Sequence, residues 1–443
     1  MGILVTIAQF ILSLSILIIL HECGHFFTAK WFKTKVEKFY LFFDPYFSLF
    51  SIKKGDTEYG IGWLPLGGYV KIAGMVDESF DTEALKEEPK EWEFRSKPAW
   101  QRLIIMLGGV TVNFILGICL FSMILWHWGE SYIPTEEAKY GMVVEELGES
   151  LGLQDGDLVL QVGDAKIDRF ESFLVKQEIL FNGASTLIVR RNNKEVTLSV
   201  PVDYLEELTA YENRSIGLFT IGFPNVIAEL SKGSNADKAG LKGGDQIIGI
   251  NGEPTPHYVQ FIAVMSEKSS EEIKVSLIRS RDTLTLDVMV DENGKLGYIG
   301  RPFTDFIDVK SKKYAVGPAL SQGTHQSYKF IVDQIKAFGQ IFKGKIKAKD
   351  SLGSLITIGG MFGTQWNWHR FWNLTAMLSI LLGFINLLPI PALDGGHVMF
   401  LLFEVVTGIK PSDKVLEYAT MAGFSLLIML MIYALGLDIM RLF

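Results

Sequence analysis

Two histidines and a glutamate occur close together as His21-Glu22-Cys23-Gly24-His25. On a helix, residues four apart lie on one face, so His21 and His25 can hold one Zn²⁺ ion, and Glu22 could deprotonate a water bound to it. The same pattern can also arise by chance. Its position favours a metal site, because it follows an uncharged run, 2–20, that is long enough to span a bilayer. Polar side chains at that depth are costly without a partner.

A third candidate ligand, Asp394, follows another uncharged run, 371–393. A catalytic zinc site usually has three protein ligands and one open position. Both runs are expected to cross the membrane in the same direction, which would bring Asp394 to the depth of the two histidines. Pro389 and Pro391 would break the helix there and leave irregular backbone around a cavity. The alternative is an aspartate that only caps a helix outside the membrane. His397 could also be a ligand, but a place on the helix surface or beside a metal ligand is favoured.

The composition indicates a membrane protein with a sizeable water-soluble part. Of 443 residues, 48% are apolar and 21% are charged, and the charges must lie outside the spans. The net charge of −8 argues against nucleic-acid binding, which needs a basic surface. Cys23 and Cys119 are the only cysteines, too few for a disulfide framework.

Four uncharged stretches are long enough to form transmembrane helices. We expect these helices at 1–30, 103–129, 371–393 and 418–437, so the predicted fold class is a multi-pass α-helical membrane protein. Lysines and arginines are concentrated between the first two, and the positive-inside rule therefore places loop 31–102 in the cytoplasm. Both termini and the region 130–370 would then lie outside, with the metal site near the cytoplasmic side. The lysines at 343–349 fit this poorly, but they lie about twenty residues from the next span, where the rule weakens.

Within the cytoplasmic loop, residues 57–72 predict a β-hairpin of two short apolar strands around a turn rich in proline and glycine. The segment is more apolar than a solvated hairpin should be. It is either a surface hairpin packed on its neighbours or a membrane-associated sheet that offers an open edge to an extended peptide beside the metal.

The outer region contains an internal repeat. Residues 151–164 align with residues 239–252, and each copy has a Gly-Asp step before an apolar strand. The pattern is similar to tandem PDZ domains, which are α+β units expected here at 140–205 and 220–300. PDZ domains bind peptides by strand addition, but these copies could equally be spacers or size filters. After them, 325–350 predicts an amphipathic helix on the outer membrane face.

These features together resemble the site-2 proteases, and among them the bacterial regulator-of-sigma-E protease branch, over nearly the whole chain. The resemblance lies in the histidine motif, the Asn-x-x-Pro-x-Pro-x-Leu-Asp-Gly-Gly run that begins at Asn386, the Pro-Leu-Gly-Gly-Tyr-Val-Lys segment and the tandem repeat. It implies that His21, His25 and Asp394 bind one zinc ion per chain and that Glu22 is the general base.

The same resemblance implies how substrates are held. Asn386 would contact or orient the substrate backbone, and the hairpin would clamp the substrate strand. The residues assigned to substrate binding are Asn386, Gly60, Gly62, Pro65, Gly67, Gly68, Tyr69 and Asn113. The implied substrates are single-span proteins of the bacterial inner membrane, such as anti-sigma factors and remnant signal peptides, already trimmed outside by an upstream site-1-type protease. The chain departs from the family pattern near Asn113, which lacks a neighbouring proline, and at Ser354, where many relatives have proline.

Two other functions remain open from the sequence. The chain could be a membrane-anchored PDZ adaptor in which the motif is a relic, but intact Glu22 and Asp394 argue against that. A zinc transporter would need polar positions spread through several spans, and the second and fourth offer little beyond Asn113 and His127. We therefore expect a zinc-dependent intramembrane endopeptidase.

Overall fold

The computed structural model describes residues 2–65, 67–75 and 88–441. Leu66 of the predicted hairpin and residues 76–87 of the predicted cytoplasmic loop lie outside this set. The helices within it are α1 (Gly2–Trp31), α2 (Ala99–His127), α3 (Glu146–Glu149), α4 (Ser172–Asn182), α5 (Tyr204–Thr209), α6 (Asn235–Lys238), α7 (Tyr258–Met265), α8 (Val316–Phe342), α9 (Ala348–Ser351), α10 (Leu355–Gly360), α11 (Trp368–Asn386), α12 (Asp394–Thr407) and α13 (Asp413–Met440).

The strands of the described residues are short and fall mostly in the middle of the chain. They are β1 (Val36–Leu41), β2 (Phe50–Lys54), β3 (Thr57–Ile61), β4 (Tyr69–Ile72), β5 (Glu130–Tyr132), β6 (Met142–Val144), β7 (Leu158–Val162), β8 (Ala165–Lys166), β9 (Thr186–Arg191), β10 (Lys194–Ser199), β11 (Phe219–Ile221), β12 (Asn225–Leu230), β13 (Gln246–Ile250), β14 (Glu253–Pro254), β15 (Glu272–Arg279), β16 (Asp282–Met289), β17 (Tyr298–Gly300) and β18 (Lys310–Lys312).

The chain divides into two compact units. The first, here called the helical unit, falls within Met1–Gly129, Lys313–Ile335 and Leu352–Phe443. The second, here called the repeat unit, comprises Glu130–Lys312 and Lys336–Ser351.

Three helices of the described chain are long and apolar enough to cross a membrane: α1, α2 and the stretch Lys414–Met440 of α13. They coincide with three of the four predicted spans. The predicted third span, 371–393, is helical only as far as Asn386, where α11 ends, and α11 is not one of the three. The helix stops there because proline at 389 and 391 cannot continue the helical hydrogen bonds.

Glycines allow α1 to approach α2 backbone to backbone. A Cβ atom on Gly24 would lie 2.7 Å from the Cα of Gly109, and one on Gly108 would lie 2.8 Å from the carbonyl carbon of Gly24. Neither helix could come this close with a larger residue at these positions. Further along α1, the hydroxyls of Ser13 and Thr375 are 2.9 Å apart, which ties α1 to α11 through a buried hydrogen bond.

The helical unit contains a four-stranded sheet in the order β2-β3-β1-β4. The strand β1 runs parallel to β3 and antiparallel to β4, whereas β3 forms its hairpin with β2. The predicted 57–72 hairpin is therefore wrong in its pairing, although both of its strands exist. They flank β1, whose buried residues Val36 and Tyr40 place it at the centre of the sheet.

The departure from the family pattern at Ser354 has a structural role in this chain. Ser354 caps α10, and both its backbone N–H and its hydroxyl donate to the carboxylate of Asp438 on α13, at 2.9 and 2.6 Å. Asp438 is buried and also accepts from the Thr357 hydroxyl and from Arg441. A proline at 354 could offer neither of these two donors, so serine adds two hydrogen bonds to a buried carboxylate.

The internal repeat is visible in the repeat unit as the same ion pair formed twice. Asp157 is held by Arg191 through two hydrogen bonds of 2.9 and 2.7 Å, and Asp245 is held by Arg279 through two of 2.7 Å. In each copy the arginine also donates to a glycine carbonyl at 2.8 Å, Gly152 or Gly240. Both aspartates are buried, and each follows the glycine of the Gly-Asp step that revealed the repeat in the sequence.

The predicted bounds of the two copies and of the following helix need correction. In the first copy β11 pairs with β6, and Leu218 and Phe219 belong to the same core as Met142, so this copy extends well past 205. The second copy begins with β12 and ends with β17, inside the predicted 220–300.

The amphipathic helix predicted at 325–350 corresponds to α8, which begins earlier than predicted, at Val316, and also ends earlier, at Phe342. Its small residues Ala319 and Gly323 are buried, whereas Tyr328, Ile335 and Phe342 are exposed.

The ion pair of the second copy should make its stability depend on pH. Burial alone would raise the pKa of Asp245, but Arg279 and the amide of Lys242 together lower the pKa below its ordinary value. A lowered pKa contributes stability that is present above the unfolded-state pKa of about 4 and is lost as the pH falls through the folded-state value. We expect the free energy of unfolding of residues 225–300 to be level above about pH 5 and to fall towards pH 3.

Arg279→Met should lower that free energy by about 3 kcal/mol at pH 7, because Asp245 would keep a buried charge without its partner. Guanidinium titrations read out by hydrogen exchange of peptides within 225–300 would measure both effects. Arg281→Met, at an exposed position two residues away, is the control. Equal stability of the two variants would contradict the assigned role of the pair.

Candidate metal centre

The three predicted metal ligands lie together. The Nε2 atoms of His21 and His25 are 3.3 Å apart, and each is 3.3 Å from Oδ2 of Asp394. A tetrahedral zinc ion with bonds of about 2.0–2.1 Å spaces its ligand atoms about 3.3–3.4 Å apart. Within the described part of the chain, no other group of three histidine, cysteine or acidic side chains lies close enough to hold a metal. The arrangement therefore fits three ligands of one tetrahedral zinc.

Helix geometry places the two histidines, and an unusual backbone places the aspartate. His21 and His25 are one turn apart on α1, and Asp394 is the first residue of α12. The chain reaches Asp394 through the non-helical segment 387–393, in which Ala392 has a φ of 90°. A Cβ on Gly396 would lie 2.6 Å from the carbonyl oxygen of Ile390. The glycines after Asp394 are thus required because the backbone folds back on itself there.

An ion pair fixes the helix that carries the aspartate. Arg102 of α2 donates to the carboxylate of Glu404 of α12, and both side chains are mostly buried. The guanidinium also donates to the carbonyl of Lys97 at 3.0 Å. Breaking such a pair leaves a buried charge unpartnered, so α12 is held firmly against α2.

Hydrogen bonds orient the histidine rings. Nδ1 of His25 lies 2.9 Å from the carbonyl oxygen of Ile105, which can accept only from a protonated Nδ1 and so leaves Nε2 free to bind a metal. Nδ1 of His21 lies 3.0 Å from the side-chain amide nitrogen of Asn113. Asn386 approaches Nε2 of His21 at 3.5 Å.

One carboxylate oxygen of the site lacks a hydrogen bond. Oδ2 of Asp394 is buried and accepts none of good geometry from the described residues, although it faces both histidines. A buried carboxylate oxygen without a partner is costly, and a cation between it and the two imidazoles would remove that cost. The donor set of two imidazoles and one carboxylate is one that zinc commonly takes in catalytic sites.

A cavity of about 710 Å³ opens beside these ligands within the helical unit. Glu22 lines it, and so do the residues from Gly67 to Ile72, which include all of β4. The other polar or charged side chains around it are Lys38, Asp44, Asn386, His397 and Thr420. Its volume is that of a typical binding pocket, and its walls are mostly apolar with a few polar groups near the ligands.

Only part of the predicted substrate-binding set lines this cavity. Asn386, Gly67, Gly68 and Tyr69 do, whereas Gly60, Gly62, Pro65 and Asn113 do not. Gly60 and Gly62 are instead required by local packing. A Cβ on Gly60 would meet the ring of Tyr40, and one on Gly62 would meet the backbone of Phe43. Asn113 is completely buried, with its side-chain amide against the His21 ring, and its assignment to substrate binding stays a prediction.

Asp44 belongs to the cavity wall and was missed in the sequence analysis. It accepts hydrogen bonds from the hydroxyls of Tyr69 and Ser48, at 2.9 and 3.0 Å. Burial, together with the Asp44 carboxylate, raises the pKa of Tyr69, so this phenol remains a neutral donor. The available signal was a single carboxylate within the otherwise apolar and aromatic run 39–50.

Comparison with known proteins gives one family for nearly the whole chain. The model of peptidase family M50 matches residues 9–430. The regulator of sigma-E protease RseP of Escherichia coli is 28% identical over 98% of each chain, and protease RseP of Yersinia pestis is 28% identical over the full length of both. A protein of Ralstonia nicotianae, named as a candidate zinc metalloprotease, is 25% identical over 99% of each chain.

The close approach of α2 to the histidines provides a test of the site. A Cβ on Gly109 would lie 2.7 Å from Cε1 of His21 and 2.8 Å from Cδ2 of His25. Gly109→Ala should therefore push the two rings apart and weaken zinc binding by at least about tenfold, an effect like that of losing a residue that orients a ligand.

Competition with a chromogenic chelator in detergent would measure the change in zinc affinity. Gly436→Ala is the matched control, because a methyl group there meets open space on α13. Unchanged zinc affinity in the Gly109→Ala protein would show that the ligands do not sit where the structure places them.

Proposed function

This chain belongs to peptidase family M50 and is a metalloprotease of the site-2 type, and from that premise we propose that it cuts single-span membrane proteins within the bilayer, using one zinc ion per chain. The observation that carries the proposal is the tetrahedral spacing of His21, His25 and Asp394 beside a cavity that also contains Glu22. Membership of a peptidase family removes the adaptor and transporter alternatives.

Each residue of the site has a defined role in peptide hydrolysis. When bound, zinc would polarise the scissile carbonyl and lower the pKa of a water. His21, His25 and Asp394 would hold that ion. Glu22, whose side chain borders the cavity next to His21, would take a proton from the attacking water and return it to the departing amine. Asn386 lies close enough to the ligands to donate to the substrate carbonyl.

The substrate must be extended before it can be cut, because a helix hides its carbonyls in its own hydrogen bonds. The strand β4 supports a way to stabilise the extended form. It pairs with β1 along one side, its other side has no strand partner among the described residues, and its residues line the cavity. We infer that the substrate adds as a strand to this edge, with its scissile bond towards the metal.

The membrane placement follows from the charges. The helices α1, α2 and α13 span the bilayer by length and hydropathy, and we propose that α11 with the segment after it forms a fourth crossing. The basic loop between α1 and α2 lies in the cytoplasm, and the termini and the repeat unit lie outside. The substrates proposed are inner-membrane proteins of the anti-sigma-factor type and remnant signal peptides, each trimmed first by a site-1-type protease.

The role of Glu22 can be tested by an isosteric change. Glu22→Gln removes the proton acceptor but none of the ligands, so the variant should bind zinc with the parent's stoichiometry and cut a model single-span substrate about 10²–10⁴-fold more slowly. Bound zinc and cleavage rate would be measured on the same detergent preparations. Glu37→Gln, on the partly exposed side of β1, is the control and should retain the parent's rate. Parent-like cleavage by the Glu22→Gln protein would exclude the proposed base.

Strand addition at β4 can be tested by cross-linking. In a Glu22→Gln background with Cys23→Ala and Cys119→Ala, the substitution Val70→Cys should form a disulfide with a single-span substrate that carries a cysteine near its cleavage site. The same cysteine at Ile52, on the opposite edge strand β2, should not. Cross-linking of equal yield at both positions, or at Ile52 alone, would refute the assigned edge.

A further inference from the structure

Asn113 is a buried polar residue to which the proposed mechanism gives no role. It lies on α2, is completely buried, is absent from the cavity wall and places its side-chain amide 3.0 Å from Nδ1 of His21. We propose that Asn113 is a positioning residue that fixes the His21 ring as a metal ligand through Nε2. The inference rests on the proposed metal centre. It adds that the Asn113 side chain decides which nitrogen of the His21 ring faces the metal.

The ring proton is the reason for such a residue. A neutral histidine that binds a metal through Nε2 carries its only ring proton on Nδ1, and that proton needs an acceptor. For His25 the acceptor is the Ile105 carbonyl. For His21 the group at hydrogen-bond distance from Nδ1 is the Asn113 side chain, whose oxygen can accept the proton once it faces the ring.

The Asn113 amide has two orientations with different consequences. In the structure its nitrogen faces Nδ1, which puts the ring proton on Nε2, towards Asp394. The amide oxygen is then buried and has no hydrogen-bond partner among the described residues. Turning the amide over brings this oxygen to Nδ1, where it accepts the ring N–H and leaves the Nε2 lone pair for zinc. One orientation suits a His21–Asp394 hydrogen bond, and the other suits a metal.

The backbone of Asn113 is held in place from α11. The hydroxyl of Ser379 donates to the Asn113 carbonyl at 2.7 Å, and a Cβ on Gly383 would lie only 3.3 Å from the Asn113 Cβ. Ser379 is itself completely buried. These contacts hold the backbone and the Cβ of Asn113, so the packing of α11 on α2 fixes the point from which the side chain reaches the His21 ring.

The test compares two variants of residue 113, one without and one with an acceptor for the proton on Nδ1. Asn113→Leu removes the acceptor and should weaken zinc binding by about 10–100-fold, whereas Asn113→Asp keeps an acceptor and should stay within about threefold of the parent. Ser13→Ala is the control, since it removes a buried hydrogen bond of α1 that does not touch a ligand. Zinc affinity would be measured by chelator competition on the full-length protein in detergent, together with thermal unfolding.

A second measurement uses the parent protein alone and does not depend on any variant folding. Nitrogen NMR of ¹⁵N-histidine-labelled, zinc-loaded protein should show Nδ1 of His21 protonated and Nε2 bound to the metal. Parent-like zinc affinity in a folded Asn113→Leu protein, or an unprotonated Nδ1 at His21, would overturn the inference. A parent that binds no zinc would instead contradict the proposed metal centre on which the inference rests.

Discussion

One energetic constraint governs the structure: a carboxylate and two imidazoles are kept together in an apolar environment, which is costly. Asp394, His21 and His25 converge to 3.3 Å, and one oxygen of Asp394 lacks a good hydrogen bond. Moving such groups away from water costs several kcal/mol unless they share a cation or are fully hydrogen-bonded. A zinc ion shared by the three side chains, as proposed above, would remove this cost.

Close backbone packing makes the convergence of the three ligands possible. Gly24 and Gly108 bring α1 against α2, Gly109 makes room for the imidazoles, and Gly395 and Gly396 let the chain fold back before α12. Each of these glycines would be ordinary in a loop, but all five lie in helices, and glycine in a helix interior lowers stability by about 1 kcal/mol. Glycine is nevertheless needed at these positions, because no other residue permits such a close approach of the backbones.

That His21, His25 and Asp394 lie together could be predicted from the sequence, because the signals for their positions are local. His21, Glu22 and His25 share one helix, and the proline-rich run before Asp394 marks the end of another. The pairing of β3 and β4 could not be predicted in the same way. Both pair with β1, which precedes them in the chain, and no local signal in the sequence places β1 between them. The extent of the first repeat copy was missed for a similar reason, because β11 returns to β6 from more than seventy residues away. The resemblance assigned Asn113 to substrate binding, whereas the packing of three helices places it behind His21.

X-ray absorption at the zinc edge of the purified protein would show whether His21, His25 and Asp394 form the proposed zinc site. We expect one zinc per chain with only nitrogen and oxygen ligands at about 2.0–2.1 Å, two of them imidazoles. A sulfur ligand at about 2.3 Å would mean that Cys23 or Cys119 binds the metal instead. That result, or a protein that takes up no zinc, would mean that these three side chains do not form a zinc site.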